Sequence, residues 1–294
     1  MSRTTASVAL CVLFALSGAA MANSTYHVLH DFEAPWAGDY APGWENLAYR
    51  HGTPPVGKMM EQVAGGVGGG SAMKLIVDSV PADWMWWAGV NPVEVNPQAM
   101  QKQFDPWISV WYLDEGYTAA GLQKAGQVLA VPSWVNLFMA GGTEDWTDIQ
   151  FGGVEYKKDN YYFVAVGDTS DPDFPGWVDT GVARPDGDVE QPRWVHLKMQ
   201  LLNATGQVHF SIDTGSGWEE VGTSWRDDYV DLGTEIGLYT RFDAPLSGWG
   251  ADKPATVWDN FEYGSSYVPE PLTMVGVLVG AAALGGYVRR RRAA

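Results

Sequence analysis

Cysteine is almost missing from this chain of 294 residues, and the single one, Cys11, lies close to the start. No disulfide can staple the body, so its stability must come from a hydrophobic core, a bound metal, or both. Charge is scarce at 18%, against 46% hydrophobic residues, which excludes disorder and coiled coil. Positive charge is scarcest in the middle. Residues 23–267 hold 13 of the 18 basic residues but 34 of the 35 acidic ones, a net charge of −21. A body this acidic repels phosphate backbones, and nucleic acid is excluded as a partner. The 5 histidines form no His-x-x-x-His pair, and the Gly65–Gly70 run lacks the Lys-Ser/Thr of a phosphate-cradling loop. Transition-metal and nucleotide chemistry therefore have no support. Helical periodicity is also nearly absent. What the chain does have is aromatic: all 15 Trp fall in the body, among 35 Gly and 17 Pro.

Both ends read as addresses. Arg3, the apolar run Val8–Leu16 and the small-residue exit before Asn23 predict a signal peptide over residues 1–22. At the other end Pro269-Glu270-Pro271 precedes an uncharged run of 17 residues, 272–288, and then Arg289, Arg290, Arg291 and Arg292. The run is just long enough for one transmembrane helix, and the arginines would hold the tail in the cytoplasm. Together these features resemble the PEP-CTERM sorting signal of Gram-negative bacteria. The resemblance implies that an exosortase recognises and processes the segment near Pro269-Glu270-Pro271. It further implies export, anchoring in the inner membrane through 272–288, and a final place at the cell surface or in the extracellular matrix. A plain single-pass anchor is the alternative.

Between the addresses the chain alternates with period 2. Val195, Leu197, Met199 and Leu201 point one way and Trp194, His196, Lys198 and Gln200 the other. After a Gly-containing turn, Val208, Phe210 and Ile212 alternate with His209, Ser211 and Asp213, so the two runs predict a hairpin. Further strands are expected at 27–33, 73–80, 108–115, 134–140, 149–156, 161–167, 236–242 and 256–263. Only Pro97–Phe104 offers a short helix, and Gly65–Gly70 reads as a flexible loop between early strands. The expectation is a single all-β sandwich or barrel over 23–263, followed by the segment 264–294.

Several motifs carry a second resemblance. Arg193-Trp194-Val195-His196-Leu197, Gly217-Trp218, Ile236-Gly237-Leu238-Tyr239-Thr240 and Val257-Trp258-Asp259-Asn260-Phe261 are similar to the back half of concanavalin A-like lectin and glucanase sandwiches. Asp31-Phe32-Glu33 with Gly43-Trp44 resembles jelly-roll carbohydrate-binding modules. Both families imply a jelly-roll β-sandwich. The second also implies that Glu33 and Asp259, on the first and last strands, share a structural calcium ion.

The residues themselves argue against catalysis. Asp114-Glu115, Glu144–Asp148 and Glu219-Glu220 all lack the alternate spacing that places two glycosidase carboxylates on one face. His196 and His209 read as surface strand histidines beside Asp213 or Ser211. Asp168, Asp171 and Asp173 concentrate oxygen ligands of the kind Ca²⁺ takes, although Asp also favours turns for its own sake. Sugars stack on exposed indoles. Alternation leaves Trp134 and Asn136 opposite a core face of Val135, Leu137 and Met139, and Tyr239 and Arg241 opposite Ile236 and Leu238. These four are the candidate glycan-binding residues. The expected function is therefore a non-catalytic exported protein whose sandwich binds extracellular polysaccharide, with calcium as its only cofactor. A structural or adhesive protein-binding role and a glycan-acting hydrolase are the alternatives.

Overall fold

The computed structural model describes residues 26–46, 60–76, 87–116, 124–131, 135–142, 159–165, 177–185, 190–224, 229–233, 235–242 and 255–266. The segments expected to be a signal peptide and a sorting signal lie outside the described residues, among which no helix is long and apolar enough to cross a membrane.

The strands are β1 Tyr26–His30, β2 Trp44–Asn46, β3 Met60–Ala64, β4 Ser71–Ile76, β5 Trp87–Pro92, β6 Trp107–Asp114, β7 Lys124–Val131 and β8 Val135–Gly142. They continue with β9 Asp159–Ala165, β10 Trp177–Ala183, β11 Arg193–Leu201, β12 Val208–Asp213, β13 Glu219–Thr223, β14 Glu235–Phe242 and β15 Ala255–Ser265. Two antiparallel sheets result. The first runs β13-β12-β11-β6-β15-β4-β3, with β1 also paired to β15, and the second runs β10-β9-β8-β7-β14-β5-β2. This is an all-β sandwich.

The hairpin marked by alternation forms as β11 and β12, with Leu197 opposite Ile212 and Met199 opposite Phe210. Its apolar set is buried, and so are Ile108, Val110 and Tyr112 of β6, the next strand. Trp258 and Phe261 of β15, Met73 and Leu75 of β4, and Val90, Ile236 and Leu238 from the second sheet belong to the same core. Each such side chain contributes about 1.5–3 kcal/mol on leaving water. The buried Trp258 indole N–H donates to Thr256 Oγ1 at 2.7 Å, and Thr256 Oγ1 meets Thr240 Oγ1 of the second sheet at 2.6 Å. A polar thread thus crosses the core without leaving a donor unpaired.

One ion pair also ties the two sheets. Arg184, just after β10, donates from Nε to Asp114 Oδ2 at 3.1 Å and from Nη2 to Oδ1 at 2.8 Å, at the end of β6. Asp114 is fully buried and the Arg184 side chain is 2% exposed. Arg193, the cross-strand partner of Asp114, donates to the Ala183 carbonyl.

The sequence expectations fare unevenly. Pro97–Phe104 forms a turn over 97–100 and a single 3-10 turn at Lys102–Phe104 rather than an α-helix. Pro97 suits a helix start, but Gln101 is extended and bridges Asp231, and Lys102 N–H donates to the Val230 carbonyl, so the segment breaks after one turn, and a left-handed Asp105 ends the second. Strands β2, β3, β5, β7, β10 and β13 were not expected. Segments such as Trp87-Ala88-Gly89-Val90-Asn91-Pro92 hold too few alternating apolar residues, and their pairing partners define them. The span 149–156 lies outside the described residues.

Replacing Arg184 with Met should strand the Asp114 carboxylate in the interior and cost about 3–5 kcal/mol. Urea unfolding of the parent and variant measures it, and a loss below about 1 kcal/mol would show that the pair ties nothing together.

Candidate functional site

Strand β15 pairs with β6 along one edge from Val257 to Gly264, and β4 and β1 share the other. Ala255–Trp258 pair with Ile76–Met73 of β4, and Phe261–Ser265 pair with His30–Tyr26 of β1. Between the two partners lies a seam, at a register shift between Asp259 and Glu262. Backbone strain gathers here: Asn260 has φ 45° and Phe32 φ 56°, values that non-glycine residues rarely adopt.

Carboxylates fill the gap in the ladder. Ser71 N–H, at the start of β4, donates to both Glu33 carboxylate oxygens at 3.0 Å. Val67 N–H donates to Asp259 Oδ2 at 2.7 Å, and Asn260 N–H to Oδ1 at 2.7 Å. Gln62 of β3 holds the loop bearing Glu33, donating to Phe32 O at 2.6 Å and Ala34 O at 3.1 Å. The glycine run therefore forms a close-fitting turn rather than a flexible loop. A Cβ on Gly70 would run into the Glu33 carboxylate, and one on Gly66 into Ser71 O and Asp259 Oδ2. Asp259 is only 1% exposed. Burial pushes its carboxyl up to about 6, the Val67 and Asn260 N–H groups oppose the rise, and the neighbouring Glu33 and Asp31 charges add to it.

The second site is the outer face of the first sheet, where side chains opposite the core line up in rows. One row runs Asp259–Trp111–His196–Asp213 across β15, β6, β11 and β12. The next runs Glu262–Ser109–Lys198–Ser211–Glu220 and ends on β13. A third runs His27–Gly264–Trp107–Gln200–His209 from β1 to β12. Aromatic rows thus flank a polar one.

In the first row the His196 ring stacks on Trp111 with centroids 4.3 Å apart and planes at 17°, and Trp218 leans on its other side at 4.4 Å. Burial between the two indoles pushes His196 down to about 4, so it is neutral near pH 7; the Asp213 charge opposes this shift. Trp218 is 48% exposed. In the third row Trp107 lies 5.6 Å from the His27 ring, and Lys198 Nζ sits 5.8 Å from its centroid. A Cβ on Gly264 would clash with the Tyr26 carbonyl oxygen and press on the Trp107 ring at 3.0 Å, so glycine lets both β1 and the indole come close to β15.

The expected site residues meet different outcomes. Glu33 and Asp259 do converge on one seam. Asp168, Asp171 and Asp173 lie outside the described residues, as do Pro269, Glu270, Pro271 and Arg289–Arg292. Among the described residues no group of three or more His, Cys, Asp or Glu side chains is placed to hold a metal by itself. Trp134 also lies outside them, and the side chains of Asn136, Tyr239 and Arg241 are likewise undescribed. Their backbones share the second sheet, but a register shift in the β7–β8 pair changes the alternation. Asn136 aligns through Leu129 with Gly237, whereas Met139 aligns through Gln127 with Tyr239. His196 and His209 are not plain surface histidines: one is held between indoles, and the other meets Glu220 Oε2 at 3.0 Å. Asp114 is committed to its ion pair with Arg184. Trp107 and Trp111 escaped the sequence reading. Their signal was the alternation Trp107, Ser109, Trp111 against Ile108, Val110, Tyr112, and the missing step was the pairing of β6 with β11.

No protein-family model matches the sequence, and no curated protein matches it. Among solved structures, a protein of unknown function from Shewanella oneidensis MR-1 is similar at TM-score 0.48 and 11% identity, over 84% of this chain and 90% of that one. A GH131 β-glucanase catalytic domain from Podospora anserina is similar at 0.45 and 13%, over 78% and 88%. Lectin I-B4 from Griffonia simplicifolia is similar at 0.40 and 10%, over 81% and 98%. These likenesses carry nothing about the residues of either site.

The raised carboxyl of Asp259 has a consequence for stability. Folded protein keeps this proton up to about pH 6, while the unfolded chain releases it lower, so folding takes up a proton between. This group's contribution therefore grows as pH falls through about 6 towards the ordinary carboxylate range. The stability difference between parent and Asp259→Asn should change across that window. Urea midpoints at several pH values test it, and parallel curves would refute the assignment.

Proposed function

We propose that this protein is a non-catalytic, exported jelly-roll module that binds polysaccharide through the outer face of its first sheet. The observation that carries the reading is the pair of indole rows, Trp111 with Trp218 and Trp107 with His27, on either side of a polar row. A pyranose ring has apolar C–H faces and hydroxyl edges. Indoles take the faces, and groups such as Lys198, Gln200 and Glu262 bond the edges. Asn136, Tyr239 and Arg241, whose backbones belong to the other sheet, together with Trp134, stand as a second proposed contact region on sequence grounds.

Calcium is the proposed structural cofactor. Glu33 and Asp259, with carbonyl oxygens of the 65–71 loop, supply the hard oxygen donors that Ca²⁺ takes, and the ion would neutralise charge that now raises the Asp259 carboxyl. Asp168, Asp171 and Asp173 are proposed as a further cluster from residue type alone. The terminal segments are proposed to direct export, exosortase processing, and anchoring in the inner membrane of a Gram-negative bacterium before surface or matrix display.

Affinity electrophoresis of the full chain in polysaccharide-containing gels tests the binding. Trp111→Ala and Trp107→Ala should each weaken retardation by about tenfold, near 1.4 kcal/mol. Retardation untouched by both changes would exclude this face. If no polymer retards the folded protein, the adhesive protein-binding role takes its place. Calcium in large excess should raise Tm by roughly 5–10 °C. Asp259→Asn should remove most of that rise, and an equal rise in the variant would place any ion elsewhere.

A further inference from the structure

Resting on the reading of this face as a polysaccharide site, we infer that its ligand is an uncharged glycan chain several sugars long, and not an acidic one. Length comes from the rows. Trp107 and Trp111 are four residues apart on one strand, about 13 Å at the rise of a β-strand. A single sugar covers one indole and cannot reach the other, so engaging both rows takes a chain.

Charge selects among chains. The polar row between the indoles begins with Glu262 on β15 and ends with Glu220 on β13. Each carboxylate is tied to a histidine at its edge, Glu262 to His27 Nε2 at 3.0 Å and Glu220 to His209 Nδ1 at 3.0 Å. Asp213 closes the Trp111–His196 row on the same side as Glu220, where it accepts the N–H groups of Gly215 and Gly217 at 2.7 and 2.9 Å. A chain crossing the face would thus meet carboxylates on both flanks. Uronate or phosphate groups would be repelled there, whereas hydroxyls can donate to the same oxygens.

The central cation does not reverse this. Lys198 Nζ lies over the Trp107 ring, its ammonium on the indole face, and is half-buried between Ser109 and Ser211. One ammonium held in that way can donate to a hydroxyl or ring oxygen, but it is outnumbered by three flanking carboxylates. The body's net charge of −21 adds a long-range field of the same sign. An amine-bearing polymer would suit the field, yet the same ammonium stands at the middle of its path. The uncharged chain is the one ligand that no group on the face opposes.

The test is titration of the full chain with an uncharged β-glucan, an uncharged mannan, alginate and chitosan, each at about 50 mM and about 500 mM salt. At least one uncharged polymer should bind with a Kd that changes by less than about threefold between the two salts. Trp111→Ala should weaken that binding about tenfold, while Trp111→Phe, which keeps a ring in place, should retain most of it. A hexasaccharide should bind at least about tenfold tighter than its monosaccharide. Alginate or chitosan bound as tightly, through the same tryptophans, would overturn the inference and leave the polysaccharide reading standing. Equal affinity for monosaccharide and hexasaccharide would also overturn it. Failure of all four polymers to bind folded protein would overturn both. A dimer dispersed by Trp111→Ala, with no glycan bound, would do the same and assign the face to a second copy.

Discussion

The last strand has to satisfy two partners along one edge. β15 lends its first half to β4 and its second half to β1, and a strand cannot hydrogen-bond to both at the point where one gives way to the other. Backbone donors left over at such a gap cost free energy unless something accepts them. Here Glu33 accepts Ser71 N–H, and Asp259 accepts Val67 and Asn260 N–H. The arrangement brings the first strand, the glycine turn and the last strand to one point, and so closes the first sheet in a chain that has no disulfide in its body. Its cost is visible in two left-handed non-glycine residues and in a carboxyl held well above its ordinary range.

The seam and the outer face are connected through the same strand. Asp259 is the cross-strand neighbour of Trp111, so the register that places the carboxylate at the gap also sets where the first aromatic row begins. Trp111 is then held by His196, and His196 by Trp218. Rings packed in series have little rotamer freedom left to lose, which favours binding by a surface that is already ordered. Gly264 does similar work in the third row by letting the Trp107 indole lie against the strand.

Much of the fold was legible because one face of each central strand is buried. Val195, Leu197, Met199, Val208, Phe210 and Ile212 alternate without interruption, and all are buried as alternation requires. The convergence of Glu33 and Asp259 was legible only through a family resemblance, because they stand 226 positions apart in the chain. Strands such as β3 and β5 carried no readable period, since Gly, Pro and polar residues occupy the positions that would have marked it. The aromatic face was half visible: Trp194, His196 and Lys198 read as outward, yet nothing in the chain says that Trp107 and Trp111 lie beside them.

Sequence by itself determined what is local. The single cysteine at position 11 left the body without a disulfide, and period-2 alternation assigned inward and outward faces within a strand. Tertiary structure alone decided which strands are neighbours, and therefore which outward residues share a surface. Side-chain direction follows from the pleat of a single strand, whereas a row across a sheet depends on pairing and register between segments far apart in the chain. A single register shift, as between β7 and β8, is enough to reassign every residue beyond it.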